Sequence, residues 1–382
     1  MSLEKLVGLL TDKPLDQNDA KLLVNRQKEF QLVDLILNYQ NYGIFGISGE
    51  PGIGKTTFIN NIATKLYTIK IALTQRDNQD TILYDLLYNL AVQTQNDLEI
   101  SKKVKDWLVE EISYIKGLCL GISFIANADL SFQKQNSPRF NYFKAKEYFN
   151  SIIKELIDKH GKIILVIDEL DKESKKDVLL VLDNLKSELQ KESIITLISL
   201  PYKIYKEYKM DKLQKLGEGN LDNVLKDIIN LREFTNSEVK EIILRRLNNY
   251  VHLFENDALE IIADYSDGNP RDALWIAQKI VFEAMAENLE RITHTYAKQS
   301  IKKITRQYVA EISLTDKQKS MIDERLFPGT KDEIIKKAVS TKNLHRSTAY
   351  SIFERLLQLG IIVERNGTYK LSGKNKFLYI DS

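Results

Sequence analysis

Cysteine is all but missing from this sequence. Cys119 stands alone, so no internal disulfide can form, and with four histidines in all there is no cluster at zinc-ligand spacing. No run approaches the roughly 18 uncharged apolar residues that a membrane span needs. Residues 1–16, MSLEKLVGLLTDKPLD, lack a basic stretch followed by a long apolar one, which excludes a secretory signal from the expectation. An excess of one charge is missing too. The 55 lysines and arginines against 53 aspartates and glutamates leave +2, so a nucleic-acid partner has to be argued from a local patch. These absences point to a cytoplasmic chain with no membrane partner.

What is present is ordinary globular composition: 43% hydrophobic and 28% charged residues over 382 positions. That length suits two or three domains, and the composition argues against long disorder. The periodicity of 26–39 predicts a helix whose Phe30, Leu32, Val33, Leu35 and Ile36 share a face. Short apolar strands are expected at 43–48, 68–73, 162–167, 193–200 and 228–231, with helices from Lys55 to about Lys65 and over 79–93, 98–116, 143–159 and 174–190. Residues 118–132, LCLGISFIANADLSF, read as a β-hairpin. From Ser237 onward the pattern turns helical, over 237–249, 255–265 and 270–288, and residues 330–382 form a separate small segment.

The most informative segment is Gly49-Glu50-Pro51-Gly52-Ile53-Gly54-Lys55-Thr56, which fits the phosphate-binding pattern G-x-x-x-x-G-K-[ST]. An apolar strand precedes it and an amphipathic helix follows. The glycines let backbone N–H groups turn inward to cradle phosphates, Lys55 neutralises their charge, and the Thr56 hydroxyl suits magnesium; Thr57 completes the nucleotide-contacting run. The second half is Ile163-Ile164-Leu165-Val166-Ile167-Asp168-Glu169, an apolar strand ending in two carboxylates. Asp168 is the expected magnesium ligand and Glu169 the group that polarises the attacking water. Alone, such an Asp-Glu pair is more often a solvated loop; downstream of a phosphate loop it reads as a Walker B strand.

Two further segments carry a resemblance to a family. Gly268-Asn269-Pro270-Arg271-Asp272-Ala273-Leu274 resembles the sensor 2 motif of AAA+ ATPases, with Pro270 at a helix start. In that family the arginine, here Arg271, reaches the γ-phosphate of ATP and couples a helical lid to the nucleotide. Leu23 to Glu29 is similar to the segment that lies against the adenine in archaeal origin-recognition initiators, which would place Asn25 and Arg26 at the nucleotide.

At the C-terminus, a helix over 332–339, a second over 347–359 and a hairpin with an Asn366-Gly367 turn are similar to a winged helix-turn-helix. The resemblance implies double-stranded DNA against Arg346, Ser347, Thr348, Tyr350, Ser351 and Arg355, with Arg365 and Lys370 on the wing near phosphates. Lys336, Lys337 and Lys342 add positive charge, and Ile352, Leu356 and Leu359 form the buried stripe. A winged helix used for protein contact is the alternative.

Together these features imply an α/β architecture: a P-loop AAA+ core with a parallel sheet at 1–233, a helical lid at 234–310 and a winged helix-turn-helix domain at 311–382. The function implied is an ATP- and magnesium-dependent, replication-initiator-like DNA-binding ATPase. Three departures matter. Ser199 stands where sensor 1 is usually asparagine or threonine, with Thr196 further back. No arginine occurs between Arg139 and Arg232, and Lys203, Lys206 and Lys209 occupy the region that would supply an arginine finger. The 118–132 insertion is extra. Slow turnover is therefore expected, with Glu169, Lys55, Arg271 and Ser199 as catalytic residues. The alternative function is a STAND-like or mobile-element or defence ATPase switch, acting through a homo-oligomer or a protein partner.

Overall fold

The computed structural model describes residues 3–62, 64–73, 79–111, 141–170, 175–214, 220–309, 314–365 and 367–374. They fall into two compact units. One comprises Arg26–Pro51 and Phe58–Leu231; the other comprises Met1–Asn25, Gly52–Thr57 and Arg232–Ser382.

The first unit is built on a five-stranded sheet: β1 (Gly43–Gly49), β2 (Tyr67–Ala72), β3 (Ile163–Asp168), β4 (Ile194–Pro201) and β5 (Asp227–Asn230). Their order is β2-β3-β4-β1-β5, and every neighbouring pair is parallel. β1, β3 and β4 are apolar with little alternation and are buried almost end to end, as strands covered on both faces must be. The edge strand β2 instead shows alternating burial. Because all five run the same way, their C-terminal ends share one edge of the sheet, the edge at which open α/β sheets place ligands.

Helices α2 (Gln27–Tyr39), α4 (Gln79–Thr94), α5 (99–111), α6 (Tyr142–His160), α7 (Lys175–Leu189), α8 (Tyr202–Gln214) and α9 (Asn220–Val224) belong to this unit. In α6 the buried residues Ala145, Phe149, Ile152, Ile153 and Leu156 recur at helical spacing, and Asn141 caps it by accepting from Lys144 N at 3.2 Å.

Two sequence expectations change here. In α2 the buried face is Val33 and Leu37, flanked by half-buried Phe30 and Ile36. Leu32 and Leu35 lie off that stripe and are about half exposed, at 50% and 54%. They line a cleft with Tyr39, Tyr205 and Ile229 instead. The helix after the phosphate loop, α3 (Lys55–Asn60), is shorter than expected. Asn61 N and Ile62 N bond back three residues, to Phe58 O and Ile59 O, so the last turn tightens and stops. The hairpin expected at 118–132 lies outside the described residues, as do residues 112–116 of the expected 98–116 helix.

The second unit is mostly helical: α1 (Leu3–Leu9), α10 (Asn236–Leu247), α11 (Asn256–Tyr265), α12 (Pro270–Ala286), α13 (His294–Val309), α14 (Asp316–Ser320), α15 (Lys331–Lys342) and α16 (Arg346–Gln358). It closes with the antiparallel pair β6 (Ile362–Arg365) and β7 (Thr368–Leu371). Helix starts are specified locally. Thr235 with Glu238, Thr315 with Gln318 and Thr330 with Glu333 each form a capping box, which satisfies two otherwise orphaned backbone donors.

The last four elements share a core of Ile334, Ile335, Ala338, Ile352, Phe353, Leu356 and Ile361. The hairpin is held against it by the Phe353 and Tyr369 rings, edge to face at 5.0 Å. Gly329 adds a bridging pair of backbone bonds to Tyr369, at 2.8 and 3.2 Å. Asp267, just before α12, fastens the end of β7: Lys370 Nζ lies 2.9 Å from Oδ1, and Gly373 N donates to Oδ2 at 2.6 Å. Lys374 adds an ion pair with Asp272 at 2.6 Å. Among the described residues no helix is long and apolar enough to cross a membrane.

Candidate functional site

β1 delivers the chain to Gly49 at the C-terminal edge of the sheet, where the loop of half-buried Glu50 and exposed Pro51 begins. Gly52 and Gly54 have φ of +83° and +95°. Side chains are strained there, so the glycine spacing of the motif is a conformational requirement. Ile53, Phe58 and Ile59 are buried and anchor the loop and α3, with Phe58 stacked on Phe30 at 4.5 Å between centroids. Lys55 opens α3 and is 5% exposed; Thr56 and Thr57 are half-buried. A tight glycine turn ending in a buried lysine is a cradle suited to phosphate.

β3 carries half-buried Asp168 to the same edge. Glu169 follows, exposed, with φ of +70°, and its N–H donates to Asp168 Oδ1 at 2.8 Å. A non-glycine residue in this conformation costs free energy and is typical of functional positions. On β4, Thr196 Oγ1 donates to Leu189 O at 3.3 Å, so that hydroxyl serves the interior. Ser199, three residues nearer the edge, is fully buried and its Oγ has no hydrogen-bond partner among the described residues. A buried hydroxyl left unpaired costs about 1–3 kcal/mol, and such groups call for a functional explanation.

The second unit contributes the start of α12. Asn269 caps it, Oδ1 accepting from Arg271 N at 3.0 Å and Asp272 N at 3.5 Å, and Pro270 occupies the first turn. A Cβ placed on Gly52 would lie 2.6 Å from Asn269 Oδ1 and 2.9 Å from Arg271 Cβ. The phosphate loop and the Arg271 segment are therefore in direct contact. Arg271 Nε lies 3.4 Å from Asp12 Oδ2.

Asp12 is absent from the residues singled out by sequence: nothing local marks it, and it lies 259 positions away from its partner Arg271.

Asn25 and Arg26 are held by protein partners. Asn25, at φ +34°, donates through Nδ2 to Glu238, and buried Arg26 pairs with Glu29 at 3.2 Å. Arg232 also grips Glu238 with two hydrogen bonds, at 2.9 and 2.7 Å. That grip, helped by the Thr235 N–H and Asn25 and opposed by burial, lowers the Glu238 carboxyl to about 2.

On α16, Arg346, Ser347, Tyr350, Ser351 and Arg355 form an exposed face and Thr348 is half-buried, while Ile352 and Leu356 are buried and Leu359 half-buried. Lys331 Nζ donates to Tyr350 Oη at 2.7 Å, sits 3.9 Å over its ring and pairs with Glu354. Lys370, expected at a phosphate, is the partner of Asp267, and Lys342 is the partner of Asp323. Arg365 ends β6. Among the described residues no group of three or more His, Cys, Asp or Glu side chains could hold a metal by itself.

A family model described as the KAP family P-loop domain matches residues 29–315. Among solved structures, the chain is similar to the Walker-type ATPase of Pyrococcus abyssi, with 14% identity over 97% of this chain and 98% of that one and a TM-score of 0.51. It is also similar to a Drosophila ORC structure bound to DNA (14% identity, 99% and 90% covered, TM-score 0.47). A third is the Aeropyrum pernix ORC2 protein in ADPNP–ADP complexes (13% identity, 92% and 90% covered, TM-score 0.46). At these identities the likeness concerns the fold alone. No curated protein matches the chain.

Proposed function

The chain belongs to the KAP family of P-loop domains, and from that premise we propose that it is an ATP-binding, slowly hydrolysing switch that binds double-stranded DNA through its C-terminal helices and hairpin. The observation that carries the nucleotide half is that β1, which leads into the glycine loop at Gly49, and β3, which ends at Asp168, finish on the same edge of one parallel sheet. In this reading the backbone of 49–54, with Lys55 and Thr57, holds the phosphates. Thr56 and Asp168 are the residues that would hold magnesium, as a site with few protein ligands holds it through added phosphate oxygens and water. Once bound, the metal would neutralise charge at the leaving oxygens. Glu169 orients and deprotonates water, and the buried Ser199 hydroxyl, which has no partner among the described residues, offers a further hydrogen bond.

Residues 1–233, 234–310 and 311–382 are assigned as core, lid and winged-helix domain. Arg271 is the lid's phosphate-sensing residue, supported by the packing of its Cβ against Gly52. The end of β7 is fastened to Asp267 and Asp272, on either side of Asn269, so a shift of α12 is passed to the DNA-binding face. The exposed face of α16 supports DNA contact by Arg346, Ser347, Thr348, Tyr350, Ser351 and Arg355, with Arg365 on the wing.

A filter or anisotropy assay of duplex DNA binding tests this. Affinity should differ between ATP, ADP and no nucleotide, and Arg346→Ala with Arg355→Ala should weaken retention at least about tenfold. Unchanged retention in the double variant favours the other reading, a switch that acts on a protein partner. The absence of arginine between Arg139 and Arg232 also supports that reading.

A further inference from the structure

We propose that Asp12 weakens the preference of the nucleotide site for a triphosphate over a diphosphate, by competing with the terminal phosphate for Arg271. The proposal rests on the reading of Arg271 as the phosphate-sensing residue.

The N-terminal segment that carries Asp12 is fixed at several points. Leu10 and Leu15, on either side of it, are buried. Gln278 Nε2 of α12 donates to Val7 O at 2.9 Å, and Arg246 of α10 donates to Thr11 O at 3.2 Å. Leu15 N donates to Thr57 Oγ1 at 3.1 Å, which ties the segment to the helix that opens with Lys55. Asp12 is thus held between a contact to α10 and a contact to the phosphate loop's own helix.

Arg271 is fixed at its base as well. Its backbone N–H is bonded to the Asn269 cap, and its Cβ abuts Gly52. Only the outer side chain is free to turn. The guanidinium presents its donors in one plane and can offer a paired set to a carboxylate or to a phosphate. Asp12 Oδ2, 3.4 Å from Nε, is an acceptor of the same sign and similar geometry to a phosphate oxygen. One guanidinium serves two rivals.

Magnitude and selectivity follow. Both side chains are more than half exposed, at 56% and 58%, so the pair is worth at most about 1 kcal/mol, or roughly fivefold in an equilibrium constant. ADP has no third phosphate and makes no demand on Arg271, so the competition falls on ATP alone. Asp12 therefore lowers the ratio of ATP to ADP affinity.

The test is calorimetric titration of the full chain with magnesium plus either a non-hydrolysable ATP analogue or ADP. The proteins compared are wild type, Asp12→Asn, Arg271→Ala and the double variant. Asp12→Asn should raise the affinity ratio about three- to fivefold with ADP binding unmoved. Arg271→Ala should lower the ratio and make the Asp12 change silent. A wild-type ratio in Asp12→Asn, alongside a lowered ratio in Arg271→Ala, overturns the proposal and leaves the role of Arg271 standing. A fall in the ratio in Asp12→Asn overturns it too, since Asp12 then positions Arg271 rather than competing for it. An unchanged ratio in Arg271→Ala removes the Arg271 reading and the proposal together.

Discussion

Gly52 and Asn269 touch: Asn269 Oδ1 lies 2.6 Å from the point where a Cβ on Gly52 would stand. Their contact joins the phosphate loop to the start of α12 through a residue that has no side chain. Gly52→Ala should therefore do two things. The strained φ of +83° costs about 1–2 kcal/mol, and the methyl pushes Asn269 and Arg271 away. Nucleotide affinity should fall at least about tenfold in a fluorescent-nucleotide titration. An unaltered affinity would mean that the loop does not need this packing.

Ser199 offers a sharper separation of stability from activity. Its buried Oγ has no partner among the described residues, so Ser199→Ala removes an unmet polar group at the expense of a small loss of packing. Urea unfolding should show a variant as stable as wild type or more stable by about 1 kcal/mol, with ATP turnover reduced. A destabilised variant with full turnover would make Ser199 a structural residue.

Glu238 gives a pH signature. Its carboxyl is lowered to about 2, chiefly by Arg232, against about 4.3 for a free glutamate. A depressed folded value means stabilisation that is complete above the unfolded value and is lost as pH falls from about 4.5 toward 2. Arg232 is half exposed, which limits the effect to about 1 kcal/mol. Melting temperatures of wild type and Glu238→Gln should differ at pH 7 and converge toward pH 2. Parallel curves would exclude the pair as a source of acid sensitivity.

Much of this was legible in the chain and some was not. The central strands β1, β3 and β4 are legible because a strand buried on both faces leaves an unbroken apolar run, as in IILVID. The start of α12 was visible because Asn269 and Pro270 are local cap chemistry. The face of α2 departs from its periodicity at Leu32 and Leu35, since spacing with Phe30 and Ile36 says nothing about which neighbour is there to cover them. Long-range pairs lay beyond reading. Asp12 with Arg271, and Lys370 with Asp267, are brought together by tertiary structure, and neither partner's neighbours hint at the other. The expectation of Lys370 near a phosphate comes from its place on a wing-like hairpin, and nothing in that pattern signals a distant carboxylate.

Asp267 is the residue whose loss should loosen the C-terminal elements. It takes the Lys370 ammonium at 2.9 Å and the Gly373 N–H at 2.6 Å. Asp267→Ala leaves both donors unpaired, a local loss of about 1–3 kcal/mol. Hydrogen exchange at amides of 368–373 should accelerate about tenfold or more, while the amides of β1 and β3 stay protected. Uniform protection in the variant would show that the apolar core of this region holds the hairpin without Asp267.

The most direct measurement is magnesium-dependent ATP binding and turnover in wild type, Lys55→Ala and Glu169→Gln, followed in parallel. Wild type should bind ATP and release phosphate slowly. Lys55→Ala should lose at least about tenfold in affinity. Glu169→Gln should bind as wild type does, with turnover down about 100-fold or more. Full ATP affinity in Lys55→Ala, or wild-type turnover in Glu169→Gln, would contradict the assignment of the loop and the β3 carboxylates as one nucleotide site.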